Sequence, residues 1–445
     1  MDLSWENHAV GAAVQRVKFN TRLNRGRRSV SNPEVTPEVP CTPHTTYFHR
    51  VADNTPNKIT QRNHKKRACS TPVDTDGGDR LETRAAKKSK CGPTDFDVPF
   101  RVGTDCGGLS AEVHSIDLLE LSHRADHVFT SESDPKTRMM TLLNNPGVRK
   151  VYNSCHVKDR PPTSVPKCEM YVAGPPCQDS SKAGPRKDTG KLEVFASCIK
   201  YIEERRPRTF ILENVGNLRN NRGVYDKFMA TLRGIKVRTG KSFYRIAARV
   251  LDAAEYTAIP HKRERLYIVG VQATAMSEDE DFEWPSKVPM MKLSAFLAPN
   301  RTPPCFTGLN GHVLEQIVSQ MCDLKKTGVD PRRVLYVTDP QASERFQGKP
   351  LVEMSYTLTR TRCPGGGYFM TAWGRFMTTQ EMIKLMGFKL SCIKRSACSE
   401  REFRQMLGNS MSVPLLARLI RMILVVGKLV DPLVVADPLS CRGAR

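Results

Sequence analysis

From residue 97 the chain alternates short apolar runs with stretches of helical period, and that alternation limits the folds open to it. PFRVGTDC (99–106) reads as a strand and turn, LSAEVHSIDLLEL (109–121) as a helix, HVFTSE (127–132) as a strand and PKTRMMTLL (135–143) as a helix. EMYVAG (169–174), RTFILENV (208–215), YRIAARVLDAAEY (244–256) and RLYIVGVQ (265–272) supply further strands, and KLEVFASCIKYIEE (191–204) a further helix. A β-α-β order of this kind predicts an α/β fold, a mostly parallel sheet with helices on both faces. In such sheets ligands sit outside the carboxyl ends of the strands. The main body spans 96–284. Residues 285–370 lose the alternation and form a smaller region. Helical period returns with RFMTTQEMIKLMGF (375–388) and LLARLIRMILVV (415–426), so 371–430 rejoin the main body and 431–445 form a tail.

Residues 1–95 are rich in Pro, Thr, Asn and Arg without a sustained period, and read as a disordered basic tail. Four Thr-Pro dipeptides begin at Thr36, Thr42, Thr55 and Thr71 and suit proline-directed phosphorylation. KKR (65–67) and RAAKKSK (84–90) have the form of a two-part nuclear import signal, or of solvated basic runs. The net charge is +23, and residues 1–90 hold 17 Lys and Arg against 9 Asp and Glu. An excess of +15 therefore remains in the rest of the chain. A polyanionic partner follows, nucleic acid before a membrane surface. The 14 cysteines include no C-x-x-C pair, which points to free thiols rather than zinc or disulfides. The most apolar stretch, residues 413–436, is interrupted by Arg418, Arg421, Lys428 and Asp431, and reads as a packed helix rather than a membrane span.

Four short motifs fall at strand ends. TDCGGLSAE joins a strand to a helix through Gly107 and Gly108, where small residues let backbone N–H groups approach a nucleotide-like cofactor. Glu132 ends the next strand, placed to accept hydrogen bonds from ribose hydroxyls. Cys177 follows EMYVAG and is stiffened by Pro175 and Pro176; lowering its pKa would make it a nucleophile. Glu213 ends RTFILE, a position for a general acid or a hydrogen-bonding clamp. Arg263 and Arg265 stand two apart at the entry to RLYIVGVQ, on one face by alternation.

GPPCQ-x-S-S-x-AG (174–184), ENV (213–215), P-x-x-R-x-R (260–265) and GNS-x-S-V-P (408–414), in this order, resemble the DNA (cytosine-5) methyltransferase family. The resemblance covers about residues 98–284 and 370–425, with Arg375, Glu381 and Gly387-Phe388 also at matching places. It implies a Rossmann-like sheet of the S-adenosylmethionine-dependent methyltransferases, with residues 285–370 as the target-recognition region. By the same matching Cys177 adds to C6 of a flipped-out cytosine. Glu213 then holds N3 and the exocyclic amine, Arg265 contacts the O2 carbonyl, and Arg263 supports the loop or a phosphate. The cofactor, S-adenosylmethionine, meets Gly107, Gly108, Leu109, Glu132, Pro176 and Leu192, while Asn409 and Ser410 close its pocket. Double-stranded DNA is the implied partner, with no membrane, nuclear localisation, and protein partners for the tail. A tRNA cytosine-5 methyltransferase, suggested by CFT at 305–307, and a catalytically silent DNA-binding regulator stay open.

Several positions depart from the family form. Gly103 replaces an aromatic residue, and Asp105-Cys106-Gly107 stands where Gly-x-Gly is usual, with Asp105 free to pair with the cofactor's ammonium. Ser133 replaces a large residue, Asp179 an apolar one and His261 a glutamine. Asp159 is a candidate for the adenine amine.

Overall fold

The computed structural model describes residues 98–176, 191–299, 310–342 and 349–440, all within one compact unit. Cys177, Asp179, the tail motifs and the CFT tripeptide lie outside the described residues.

Seven strands form the main sheet: β1 (Phe100–Asp105), β2 (Ala125–Ser131), β3 (Val151–Tyr152), β4 (Met170–Ala173), β5 (Thr209–Val215), β6 (Tyr244–Asp252) and β7 (Glu264–Gln272). Their order is β3-β2-β1-β4-β5-β7-β6. The first five run parallel, whereas β7 pairs antiparallel with both β5 and β6. The chain moves from β1 outward to β3 and then returns to the other side of β1 with β4. This reversal opens a crevice between the β1 and β4 carboxyl ends, the usual ligand position in such sheets.

Strand residues alternate between two cores, as a two-residue period requires. Val102, Met170, Val172, Ile211, Tyr267 and Val269 enter one. Phe129, Tyr171, Ala173, Phe210, Leu212, Leu266 and Ile268 enter the other. Helices α1 (Ala111–Leu118) and α2 (Pro135–Asn144) follow β1 and β2. Asp134 caps α2 by accepting from the Thr137 N–H at 2.7 Å, and Pro135 sits where a helix needs no donor. Helices α3 (Lys191–Arg205) and α4 (Arg222–Arg233) cover the second core.

The short α5 (Ala253–Tyr256) follows β6. Beyond β7, the smaller region holds α6 (Gly311–Lys326) and a four-stranded sheet ordered β11-β10-β8-β9. Its strands are β8 (Tyr336–Thr338), β9 (Leu351–Val352), β10 (Phe369–Met370) and β11 (Arg375–Phe376), so the sheet continues past residue 370. The chain then returns through α7 (Thr379–Leu385), α8 (Glu400–Asn409) and α9 (Val413–Val426). α9 lies almost wholly in the first core, where each buried Leu or Ile contributes about 1.5–3 kcal/mol. Arg418, within that apolar helix, is bound to Asp437 at 2.7 Å and to the Tyr256 and Ser286 carbonyls at 2.8 Å. Among the described residues no single helix is long and apolar enough to cross a membrane.

Candidate active site

Four chain segments meet at Gly174, the residue after β4. A Cβ there would lie 2.6 Å from Met411 Cε, 3.4 Å from the Cys106 carbonyl oxygen and 3.8 Å from Glu213 Oε2. The loop after β1, the end of β4, the ENV segment and the GNS segment thus share one crevice, and only glycine leaves it open. Asn214 donates from Nδ2 to the Pro175 carbonyl at 3.2 Å, so the ENV asparagine fastens the loop leading to Cys177.

Because β7 runs antiparallel, its first residues lie beside the last residues of β5: Arg265 is registered with Val215. That geometry brings Arg265 Nε to 3.2 Å from Glu213 Oε1, with the side chains 14% and 11% exposed. Arg265 also donates from Nη1 to the Glu264 carbonyl at 2.7 Å.

Arg263 does a different job. It precedes β7, so strand alternation does not govern it, and it is buried. Its guanidinium donates to the Leu358 carbonyl at 2.8 Å, the Gly408 carbonyl at 3.5 Å and the Ser410 carbonyl. Burial lowers its pKa to about 9. Nη1 and Nη2 are thus turned to internal carbonyls, while Nε has no hydrogen-bond partner among the described residues. His261, also buried, accepts from the Leu358 N–H at 2.9 Å, and burial holds it well below the usual histidine range. Both residues tie the end of the smaller region to the main sheet. Gly408 permits this approach, since a Cβ there would meet the Thr359 carbonyl carbon at 2.3 Å.

In the loop after β1, Gly108 has a left-handed backbone (φ 59°) with open space where a Cβ would point. Its N–H donates to Glu132 Oε2 at 3.2 Å, and the Ser133 N–H donates to Glu132 Oε1 at 3.0 Å. Burial raises the Glu132 pKa, opposed by these amides. A Cβ on Gly107 would reach 2.8 Å from Thr104 Cγ2. Leu109 is buried in the first core, Leu192 packs half-buried against the second, and Pro176 and Asn409 are exposed. Ser410 is buried and holds Arg263 through its carbonyl. Ser133 is exposed, and Asp159, also exposed, accepts from the Ser154 hydroxyl at 2.8 Å.

The expectation that Asp105 pairs with a cofactor ammonium is corrected by its surroundings. Asp105 is fully buried; both its carboxylate oxygens accept from Arg160 Nη2 at 2.8 Å, Oδ1 also from Ser131 Oγ at 2.6 Å and Oδ2 from the Tyr171 hydroxyl at 2.6 Å. These donors occupy the carboxylate. Burial pushes the Asp105 pKa up, opposed chiefly by Arg160. Gly103 belongs to the same unit: a Cβ there would lie 2.2 Å from the Phe129 ring, which fills that space from β2. The Arg160 guanidinium in turn lies 5.6 Å from that ring and 4.7 Å from the Tyr152 ring. Arg160 and Tyr171 carry no motif and are invisible to a reading of local spacing.

Arg375 makes a bidentate pair with Glu381, at 2.9 and 2.7 Å, and Glu381 also accepts from the Thr378 and Ala298 N–H groups. This pair locks the start of α7 to the smaller region and takes no part in the crevice. Gly387 (φ 81°) is packed where a Cβ would meet Pro414 at 2.2 Å.

The family model for C-5 cytosine-specific DNA methylases matches residues 104–424. The chain is similar to the type II methyltransferase M1.ScrFI of Lactococcus lactis subsp. cremoris, 29% identical over 167 residues, 37% of this chain and 40% of that protein. It is also similar to M.HaeII of Haemophilus aegyptius, 26% identical over 300 residues, 65% of this chain and 83% of that protein. With M1.ScrFI and M.NlaX the shared stretch spans less than half the length of the relative. The fold is similar to the Entamoeba histolytica methyltransferase EhMeth, with a TM-score of 0.50 and 14% identity over 73% of this chain and 98% of that one.

Proposed function

The chain belongs to the C-5 cytosine-specific DNA methylase family, and we propose that it methylates C5 of a cytosine in double-stranded DNA through a covalent bond from Cys177 to C6. The observation that carries this reading is the Glu213–Arg265 pair, held 3.2 Å apart beside the glycine-proline loop that leads into Cys177.

Cytosine C5 is a weak nucleophile while the ring stays aromatic. Addition of the Cys177 thiolate at C6 makes the ring an enamine and turns C5 into a carbon nucleophile. Glu213 holds N3 and the exocyclic amine, favouring a proton at N3 as sulfur adds, and Arg265 donates to the O2 carbonyl. Loss of the C5 proton restores the double bond and expels the thiolate. None of this reaches a base inside a duplex, so the cytosine is flipped out, at a cost of about a few kcal/mol offset by backbone contacts.

The family's methyl donor is S-adenosylmethionine, which supplies an electrophilic sulfonium methyl. The crevice fits it: Gly108 leaves open space where a side chain would project, Gly174 leaves room between Met411 and Glu213, and Glu132 offers a carboxylate just past the end of β2. Glu132 holds the ribose hydroxyls, Gly107, Gly108 and Leu109 line the methionine end, and Pro176, Leu192, Asn409 and Ser410 complete the pocket. Residues 285–370 read the target sequence. The basic clusters at 65–67 and 84–90 carry the chain to the nucleus, and the tail offers sites for protein partners.

Labelled S-adenosylmethionine offered with duplex DNA and with tRNA tests the reading. Label enters DNA with the wild-type chain and not with Cys177→Ser, and duplexes containing 5-fluorocytosine trap a covalent complex. Label entering tRNA alone, or DNA equally well with the serine variant, overturns it.

A further inference from the structure

Three thiols meet behind the loop after β1, and the proposed reaction uses none of them. Cys106 lies half-buried in that loop, Cys155 follows β3, and Cys198 is buried in α3. The Cys106 and Cys155 sulfurs are 3.6 Å apart, and Cys198 is buried in the same core cluster. All three are free cysteines. Among the described residues no group of three or more His, Cys, Asp or Glu is arranged to hold a metal ion, so metal binding does not account for the cluster.

The three sulfurs are chemically unequal. Hydrogen bonds from Cys106 and Cys198, together with the Arg160 charge, pull the Cys155 thiol down, whereas Cys106 and Cys198 are pushed up. Arg160, already clamped to Asp105, leaves Nε and Nη1 without a hydrogen-bond partner among the described residues. One thiolate-prone sulfur beside two protonated thiols and a buried cation is the setting in which cysteine oxidation becomes selective.

We propose that Cys155 and Cys106 form an oxidation site: a peroxide converts them to a disulfide, and this bond displaces the cofactor loop. The Cys155 thiolate attacks one oxygen of hydrogen peroxide and breaks the O–O bond, giving a sulfenic acid and hydroxide. The Cys106 sulfur then displaces hydroxide from the sulfenic sulfur, and its proton leaves as water. Two thiols and one peroxide become one disulfide and two waters; the sulfurs lose two electrons and the peroxide gains them. The sulfurs must close from 3.6 Å to about 2.05 Å. That movement pulls on Cys106, whose backbone is left-handed (φ 54°) and directly precedes Gly107 and Gly108. It therefore displaces the Gly108 N–H that meets Glu132. The effect on binding rests on the proposed cofactor pocket; formation of the disulfide does not.

The test uses the full chain with Cys177→Ser, so that the loop thiol cannot contribute. The protein is treated with hydrogen peroxide, remaining thiols are alkylated, cross-linked peptides are mapped by mass spectrometry, and S-adenosylmethionine binding is measured by calorimetry. The expected result is a Cys106–Cys155 cross-link with affinity lowered about tenfold or more, within the range usual for coupled sites, and restored by dithiothreitol. Cys155→Ala in the same background keeps its affinity in peroxide, and Cys155→Ser serves if the alanine variant is unstable. Oxidation of the exposed Cys322 and Cys392 without that cross-link in folded protein overturns the proposal, as does a Cys155–Cys198 cross-link alone. A cross-link that leaves affinity unchanged overturns the coupling. Failure of untreated protein to bind the cofactor refutes the pocket instead, and the peptide map still decides the disulfide.

Discussion

Two carboxylate–arginine pairs stand at the carboxyl ends of strands in the same sheet, and they are built in opposite ways. Asp105 and Arg160, 0% and 6% exposed, are closed: the carboxylate has donors from Arg160, Ser131 and Tyr171. Glu213 and Arg265, 11% and 14% exposed, touch through a single 3.2 Å contact. A buried ion pair is tolerated when further hydrogen bonds satisfy its remaining lone pairs and protons. The first pair meets that condition and holds structure. The second keeps Glu213 Oε2 beside Gly174, and its donors fall short of saturating the carboxylate, the arrangement that the proposed recognition of a planar, polar base calls for.

Substitution of the open pair should therefore remove activity and spare the fold. Glu213→Gln keeps the shape and loses the charge that favours a proton on the base. Methyl transfer to DNA should fall about 10²–10⁴-fold, the usual scale for acid–base assistance. The urea midpoint should stay near wild type. A variant that unfolds early would erase the distinction between the pairs.

The closed pair should behave the other way round. Arg160→Met retains the stem against Phe129 and Tyr152 but leaves Asp105 charged and buried. The expected loss is about 3–5 kcal/mol in urea denaturation, as for other buried pairs broken on one side. Adding Asp105→Asn should return part of it, because the uncompensated charge is then gone.

The open pair was readable in the sequence because its residues sit in short motifs, ENV and R-x-R, beside apolar runs of strand length. The closed pair was readable only as a departure, Asp105 where glycine is usual. Its explanation lay in Arg160, 55 positions away, in a Pro-rich connection without period. The glycine at 103 was equally visible, but its reason is non-local, because Phe129 from the neighbouring strand fills its space. Strand alternation was legible for β1, β2, β4, β5, β6 and β7. The two-residue β3 was too short to show a period, whereas Val224, Tyr225, Phe228, Met229 and Leu232 do give α4 a helical one. The antiparallel direction of β7 was not encoded locally at all. It explains why a motif at a strand's beginning shares an edge with motifs at strand ends.

A third carboxylate separates the worth of the partner from the cost of burial. Glu112, in the first turn of α1, is buried, and neither of its side-chain oxygens has a hydrogen-bond partner among the described residues. Burial raises its pKa from 4.5 to about 7. The folded state thus binds this proton more tightly than the unfolded one. Its effect is absent below pH 4.5, where both states are protonated. Stability declines as pH rises from 4.5 to 7, and the loss is complete above 7. Glu112→Gln should stabilise the protein at pH 8 by about 3 kcal/mol, with almost no gain at pH 4.5. Thermal melts across that range check it. A gain that persists at low pH would mean that Glu112 is not paying the cost of an unpartnered charge.

The smallest change asks whether saturation at Asp105 is redundant or cooperative. Ser131→Ala removes one short hydrogen bond, 2.6 Å from Oγ to Asp105 Oδ1, and leaves the Arg160 and Tyr171 donors in place. If the donors act independently, the loss should be about 1.5 kcal/mol, the low end for a hydrogen bond to a charged group. If the hydroxyl instead polarises and orients the whole network, the loss should approach that of Arg160→Met, because chains of buried hydrogen bonds strengthen one another. Urea denaturation of the Ser131→Ala and Arg160→Met single variants and their combination separates the cases. Additive losses describe a carboxylate with donors to spare. A combination no worse than Arg160→Met alone describes a single cooperative clamp, and in that case the closed pair differs from the open one through its third and fourth donors as much as through burial.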